Sequence, residues 1–216
     1  MLNILEKIFV WLHNFSYKAI SKIAIKKNNG IHPKHEILGY HQFFVDNVAA
    51  GDAVLDIGCG NGLLAGSIAQ KAKKVVGIDI VRKNIENAQA HNKSDNLEFI
   101  LGNAIVYEFN EKFDKIVLSN VLEHIENRID FLIKTGRLSD LILIRVPLIN
   151  RDWLAVYKKE NGHEYRLDKT HFIEYTVDSL RKELTQAGWN LDSYSIQFGE
   201  LWGVLKKCEC YKKENY

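Results

Sequence analysis

Cysteine is scarce in this chain: Cys59, Cys208 and Cys210 are the three in 216 residues. They are too few and too unevenly spaced for a disulfide framework, which points to a reducing cytoplasm. The Cys208-x-Cys210 pair could be half of a metal site, but no second pair completes a tetrahedron, and it reads as an incidental part of the tail. Long apolar runs are missing too. Glu6, Lys7, Lys18 and Lys22 interrupt the first apolar stretch well before the 20 or so residues a membrane span needs. With neither a positive n-region nor a small-residue cleavage site, that stretch is not expected to be a cleaved signal. The third absence is an excess of charge. There are 29 basic and 27 acidic residues, a net of +2, and no long basic block precedes the tail. No polyanionic nucleic acid partner is indicated.

What the chain has is the composition of a globular protein, 46% hydrophobic and 26% charged, enough for one compact core with an N-terminal extension. It also has one stretch of unusual information. Val54-Leu55-Asp56-Ile57-Gly58-Cys59-Gly60-Asn61-Gly62-Leu63-Leu64-Ala65 is a buried strand running into three alternating glycines and then a helix. Glycine lacks a Cβ, so Gly58 and Gly60 can form a strand-to-helix turn with positive φ that lets a ligand close to the backbone. A dinucleotide fingerprint needs GxGxxG spacing, and Leu63 stands where its third glycine would fall. Asp56 is decisive. A carboxylate at the end of this strand would repel a pyrophosphate but suits a ligand with an ammonium group, such as S-adenosylmethionine. The next strand, Lys74 to Asp79, ends in a carboxylate about 20 residues after the turn, where Asp79 can accept from both ribose hydroxyls. A third apolar run, Leu97 to Ala104, brings Asn103 to the adenine edge. A fourth, Phe113 to His124, opens from strand to helix with polar groups at the junction facing the methyl donor.

In order and spacing, residues 50 to 205 resemble a class I S-adenosylmethionine-dependent methyltransferase of the bacterial small-molecule and glycan-pathway type, on the strength of VLDIGCGNG followed by VLEH. Cys59 stands where that motif usually has it. Asn103 replaces the usual Asp, keeping an acceptor oxygen but losing the charge. The resemblance implies S-adenosyl-L-methionine as cofactor and S-adenosyl-L-homocysteine as product. The cofactor set is then Tyr40, Asp56, Ile57, Gly58, Cys59, Gly60, Gly62, Asp79, Ile80, Asn103, Ala104, Ser119 and Asn120. The helix before the first strand commonly closes over the cofactor in this family, which makes Tyr40 and His41 candidates to touch the methionine part or the acceptor. Each piece alone has a bland reading: a tight turn for the glycines, a helix cap for Asp79, a turn residue for Asn103, packing for Tyr40 and solvation for His41.

Helical spacing of Leu5, Ile8, Leu12, Phe15, Ala19 and Ile23 predicts an amphipathic helix from Leu2 to about Lys27. It serves as a cap or dimer element, or lies on a membrane surface through Phe9, Trp11 and Phe15. After the Gly30-Ile31-His32-Pro33 break a helix is expected over 34–48, burying Ile37, Phe44, Val45 and Val48. Alternation follows: helix 62–72, strand 74–79, helix 82–92, strands 97–101 and 114–119, helix 121–135, strand 140–146, helix 177–187 and strands near 191–197 and 201–207. The expected fold is α/β, a Rossmann-like doubly wound sheet. The resemblance makes it seven-stranded, mostly parallel with the last strand antiparallel, behind the N-terminal helical extension. The expected divisions are 1–49 (helices capping the cofactor site), 50–207 (the main domain, with an acceptor-binding insertion over 148–175) and 208–216 (the tail).

The insertion leaves the carboxyl edge of the sheet and is rich in His, Arg and aromatic residues. Trp153, Tyr157, Tyr165 and Tyr175 are candidates to stack on a sugar or ring, and Arg151 and Arg166 to hold a carboxylate or phosphate. The alternative is a salt-bridged insertion anchored by its aromatics. For a hydroxyl acceptor a general base is wanted, in the order His171, His163, His124. Asn120-x-x-Glu123-His124 is also similar to the Glu-x-x-Glu-His metal motif of certain RNA-terminal and ubiquinone-pathway O-methyltransferases. Asn120 breaks that pattern, so no metal is assigned, and Glu123 and His124 are read as orienting the acceptor or bracing the helix start. The functional expectation is a cytoplasmic methyltransferase, peripheral to the inner membrane face if residues 2–27 touch it, acting as monomer or homodimer on an oxygen, less readily a nitrogen, of a small molecule. Similarity of the His171 to Thr176 segment to methyltransferases of surface-polysaccharide and glycolipid pathways tilts the acceptor toward a sugar or lipid-linked intermediate. Set against this are a non-catalytic cofactor-binding or membrane-docked regulatory module and an NAD-dependent oxidoreductase, the latter disfavoured by Asp56 and the glycine spacing.

Overall fold

A computed structural model of the protein describes residues 2–209; residues 210–216, and with them Cys210, lie outside the described residues. Five strands, β1 (Ala53–Ile57), β2 (Lys74–Asp79), β3 (Leu97–Leu101), β4 (Lys115–Ser119) and β5 (Leu141–Pro147), run parallel, and a final hairpin of β6 (Trp189–Gln197) and β7 (Glu200–Lys207) completes a seven-stranded sheet. The order is β3-β2-β1-β4-β5-β7-β6, with β7 antiparallel to both of its neighbours. The expected doubly wound sheet with an antiparallel last strand is what the chain forms.

Period-two alternation sends each strand's side chains to two cores. Leu55, Ile57, Val76, Ile78, Ile116 and Leu118 face one side with Leu132, Leu180 and Trp189. Val54, Val75, Val117 and Leu143 face the other with Phe44, Ala65 and Ile68. The latter side is covered by α3 (Tyr40–Asp46) and α4 (Leu63–Ala69), the former by α6 (Arg128–Thr135) and α8 (Val177–Gln186). Chain order reverses at β1, because β2 lies on one side of it and β4 on the other. That leaves a crevice beyond the carboxyl ends of these strands, the position favoured for ligands in such sheets.

Two expected helices differ, and one helix was not expected. The one over 34–48 is two, α2 (Lys34–Leu38) and α3, because Gly39 takes a left-handed conformation with φ 62°. The one over 121–135 begins only at Arg128, behind a single 3-10 turn at Leu122–His124 that follows Asn120 at φ 56°. Side-chain hydrogen bonding makes such a left-handed residue tolerable for asparagine. The insertion, read as loop, contains α7 (Trp153–Glu160), whose N-terminus is capped by Asp152 Oδ1 accepting from the Ala155 N–H at 2.7 Å. Of the remaining helices, α5 (Arg82–His91) lies where expected, and α1 (Leu2–Lys27) stands on the outside with none of its residues buried.

Candidate active site

The turn after β1 is built for close approach. Gly60 has φ 55°, and a Cβ placed on it would meet nothing within 4 Å, so the backbone there borders open space. Its N–H donates to Asp79 Oδ2 at 2.9 Å. Asp79 Oδ1 accepts from the Val81 N–H at 2.8 Å and from Asn84 Nδ2 at 3.2 Å. Three donors fix this carboxylate at the end of β2, and each oxygen still has lone-pair capacity facing the crevice. Gly62 is required for the opposite reason: at φ 78° a Cβ would sit 2.7 Å from Phe99 and 2.9 Å from Ala88. There glycine closes helix against strand.

Asp56 lies one residue before the end of β1. It is 1% exposed, its Oδ2 has no hydrogen-bond partner, and burial, reinforced by the charge of Asp79, pushes its carboxyl up to about 8. A buried carboxyl with an orphaned oxygen is costly unless a partner arrives, and a cationic headgroup is the partner that would let it ionise. Beside it, a cavity of about 470 Å³ is lined by Ile57, Gly58, Asp79, Ile80, Asn103, Ala104 and Asn120, and continues to His124. The residues therefore fit a nucleoside whose amino-acid end is an ammonium. Asn103 uses its amide oxygen to accept from the Ile105 N–H at 3.0 Å, so the adenine edge meets an oxygen already holding one donor.

The other expected cofactor residues lie around this crevice without lining the cavity. The Cys59 thiol is buried, its ionisation pushed up by burial, and packs where a Cβ on Gly77 would meet its sulfur at 2.9 Å. The Tyr40 ring lies 3.7 Å from the Arg145 guanidinium, and its hydroxyl hydrogen-bonds His35 Nδ1 at 2.6 Å. Arg145 forks onto Glu200 at 2.6 and 2.8 Å and reaches Ser119 Oγ at 3.5 Å. Both members of this ion pair are buried, and neither was read from the sequence. Arg145 sits in an apolar strand, Leu-Ile-Leu-Ile-Arg-Val-Pro, where a lone charge was the available signal. His41 is hydrogen-bonded to Ser67 at 3.1 Å through Nδ1, leaving a buried, unpartnered Nε2.

Of the three histidines expected as bases, two meet. His124 and His171 stand edge to face with ring centroids 4.7 Å apart, although 46 residues of chain lie between them. His171 is buried, with Nδ1 3.2 Å from Glu174 Oε1. Glu174 also accepts from the Leu167 N–H at 2.5 Å and from Arg151. Burial alone would push its carboxyl up, but the bonds from His171, Leu167 and Arg151 outweigh that and hold it below the usual carboxylate range. The sequence reading missed Glu174; a carboxylate three residues after a candidate base was the cue. Glu123 completes the cluster, fully buried, with Oε1 accepting from Asn120 Nδ2 at 2.8 Å and Oε2 unpartnered; burial pushes it up to about 7. Glu123, His124 and His171 each offer one ligand atom, and these atoms lie within 4.8 Å of one another. His163 is elsewhere, 3.3 Å from Glu6 of α1.

The residues expected to grip the acceptor are mostly engaged inside the protein. Tyr175 is fully buried and donates to Glu183 at 2.6 Å, so its ring belongs to the core and offers no stacking face. Arg151 donates to Leu148 O at 3.1 Å, to Tyr165 O at 2.6 Å and to Glu174, which makes it a strut of the insertion. Arg166 pairs with Glu164 and with His171 O at 3.0 Å. Trp153, by contrast, is 76% exposed, and Tyr165 is half-buried with Lys159 5.7 Å from its ring. Arg151 and Arg166 are thus engaged by Glu174, by Glu164 and by the backbone around His171.

A family model described as a methyltransferase domain matches residues 31–194. The ubiquinone biosynthesis O-methyltransferase of Rhizobium leguminosarum bv. trifolii is 31% identical over 173 residues, covering 72% of this chain and 68% of that protein. The protein of the same name from Chromobacterium violaceum is 33% identical over 105 residues, covering 46% and 45%. Of several relatives of that kind the chain spans about half of the length or less. Magnesium protoporphyrin IX methyltransferase from Synechocystis PCC 6803, solved with bound SAH, shares the fold, with a TM-score of 0.61 at 21% identity over 81% of this chain and 83% of that one.

Proposed function

The chain belongs to the methyltransferase domain family, and from that premise we propose that it transfers the methyl group of S-adenosylmethionine to a hydroxyl oxygen of a small molecule. The observation that carries the reading is Asp56, a fully buried carboxyl with an orphaned oxygen at the end of β1, beside a crevice whose next carboxylate, Asp79, is held ready by three donors. When bound, the cofactor supplies a methyl group on a positively charged sulfur. Everything else is positioning and proton handling. Asp56 takes the ammonium end, Asp79 the ribose, and the Asn103–Ala104 wall the base, so that displacement is in line with an acceptor held at near-attack distance.

Proton removal falls to His171. With Nδ1–H donating to Glu174, the lone pair is left on Nε2 as the acceptor for the hydroxyl's proton. Glu174 is the positioning residue that fixes this tautomer, and Arg151 and the Leu167 N–H fix Glu174. A second reading rests on the proximity of Glu123, His124 and His171: two imidazoles and a carboxylate could hold a divalent cation that lowers the acceptor hydroxyl's pKa. Turnover that survives a chelator favours the base; turnover restored by an added divalent ion favours the cation. The names of the relatives support oxygen over nitrogen as the target, and the acceptor is proposed to be a small phenol- or sugar-like hydroxyl compound, met in the cytoplasm. Titration with S-adenosylhomocysteine and with NAD, followed by methyl transfer from labelled donor to metabolite extracts, tests the proposal. Preference for NAD would end it, and homocysteine-nucleoside binding without transfer to any extract would leave a binding module in place of an enzyme.

A further inference from the structure

Helix α1 is attached the wrong way round for a helix that packs on a domain. Its contacts with the insertion and the following turn run through polar side chains: Glu6 to the Tyr157 hydroxyl at 2.7 Å, Asn14 to Glu164 O at 3.0 Å and to Lys158 at 2.8 Å, Ser21 to His32 at 3.0 Å. Leu5, Ile8, Trp11, Leu12, Phe15 and Ile23, which fall within about 120° of one another at 100° per residue, are all exposed, from 41% for Leu12 to 62% for Trp11. Trp11 and Phe15 stack on that outer face with centroids 5.5 Å apart. The helix also lies outside the residues 31–194 that match the family model. Its apolar face is therefore an addition to the fold that the catalytic crevice does not use.

Charge identifies the occupant. The helix carries Lys7, Lys18, Lys22, Lys26 and Lys27 against the single acid Glu6, whose carboxylate is already taken by Tyr157. Along the helix, a cavity of about 490 Å³ is lined by Trp11, Phe15 and Lys18 of α1 and by Asp152, Lys158, Glu164, Arg166 and Lys169 of the insertion. Lys158 is 5% exposed, and its ammonium lies 3.0 Å from His13 Nδ1 and 2.8 Å from Asn14 Oδ1. A second copy of this chain would bring the same five lysines to the contact. An apolar stripe with aromatic residues, bordered by cations, matches instead the interface of a bilayer that bears anionic headgroups.

We propose that α1 docks the protein on an anionic phospholipid surface, with its Leu5–Ile8–Trp11–Leu12–Phe15–Ile23 face in the headgroup boundary and the lysine-rich cavity against lipid phosphates. No helix of the described residues is long and apolar enough to cross a membrane, so the contact is peripheral. This inference does not depend on the transferred group. The test is flotation of the full chain with vesicles of phosphatidylcholine alone or mixed with phosphatidylglycerol. Binding is expected to the mixed vesicles and to weaken as salt rises. Lys18→Glu combined with Lys169→Glu should weaken it by roughly thirtyfold or more, since each cation at an anionic surface contributes roughly fivefold, and Trp11→Ser combined with Phe15→Ser should abolish it. Both pairs are on exposed or half-exposed positions, and unchanged thermal stabilisation by S-adenosylhomocysteine serves as the control for folding. Equal binding to both vesicle types, no flotation at all, or a dimer in sedimentation that the Trp11/Phe15 variant dissociates while vesicle binding stays absent would each overturn the proposal.

Discussion

Replacing Asp56 by Asn should make the empty protein more stable and the cofactor weaker, in opposite directions from one atom. The carboxyl is pushed up to about 8 in the folded protein from an ordinary value of 3.8. A raised carboxyl favours folding only while protonated. Its contribution is complete below the unfolded value and is lost as pH rises from there toward the folded value. At pH 7 the unfolded chain is ionised and the folded one is not, over a gap of about 3 pH units, which costs stability on the order of 4 kcal/mol at 1.36 kcal/mol per unit. The Asp56→Asn side chain would escape that cost and retain a desolvation penalty for its amide of about 1–3 kcal/mol, so a net gain of about 1–3 kcal/mol is expected. Wild-type stability should fall between pH 5 and 8, with the variant flat by comparison. Binding reverses the sign. An ammonium beside Asp56 restores its charge, so the wild type should release nearly one proton on taking S-adenosylhomocysteine at pH 7. The variant loses a charge-assisted contact of about 1.5–3 kcal/mol, or roughly 10- to 150-fold in affinity. Calorimetry in buffers of different ionisation enthalpy counts the proton, and urea unfolding across pH reads the stability. A wild type that binds without proton release, with affinity unchanged in Asp56→Asn, would refute the reasoning.

Other outcomes follow from the same geometry. His171→Ala should reduce turnover with a hydroxyl acceptor by about 10²- to 10⁴-fold and leave S-adenosylhomocysteine binding intact; full turnover would remove His171 from the reaction. Glu174→Gln should lower kcat more than it changes KM, because the tautomer lock on His171 is weakened while the ring stays in place. Arg145→Met strands the buried Glu200 and removes the cation under Tyr40, with an expected loss of about 3–5 kcal/mol. Thermal unfolding checks it, and the double variant Arg145→Met with Glu200→Leu should recover most of the loss.

Much of the site was legible because its signals are local. A glycine turn states its own conformation, and an acidic residue closing an apolar strand states which end of the sheet it reaches. Hence Asp56, Gly60 and Asp79 could be placed before any coordinate was known. Tyr175 shows the limit. An aromatic residue in a polar stretch reads the same whether it faces an acceptor or a core, and the choice lay with Glu183, eight residues on, which takes its hydroxyl. Arg151 and Arg166 are alike in this: a guanidinium in a loop announces an anion, and here the anions were Glu174 and Glu164 of the same loop.

The succession of strands, the cofactor crevice beyond their carboxyl ends and the amphipathic character of residues 2–27 were properties of the sequence by itself, since periodicity, turn chemistry and strand-end residues act over a few positions. The union of His124 with His171 and Glu123, the buried Arg145–Glu200 pair and the outward turn of the apolar face of α1 were decided only when the chain closed. Each depends on which groups lie within a few ångströms across long stretches of chain, a matter of packing and desolvation that no local pattern encodes.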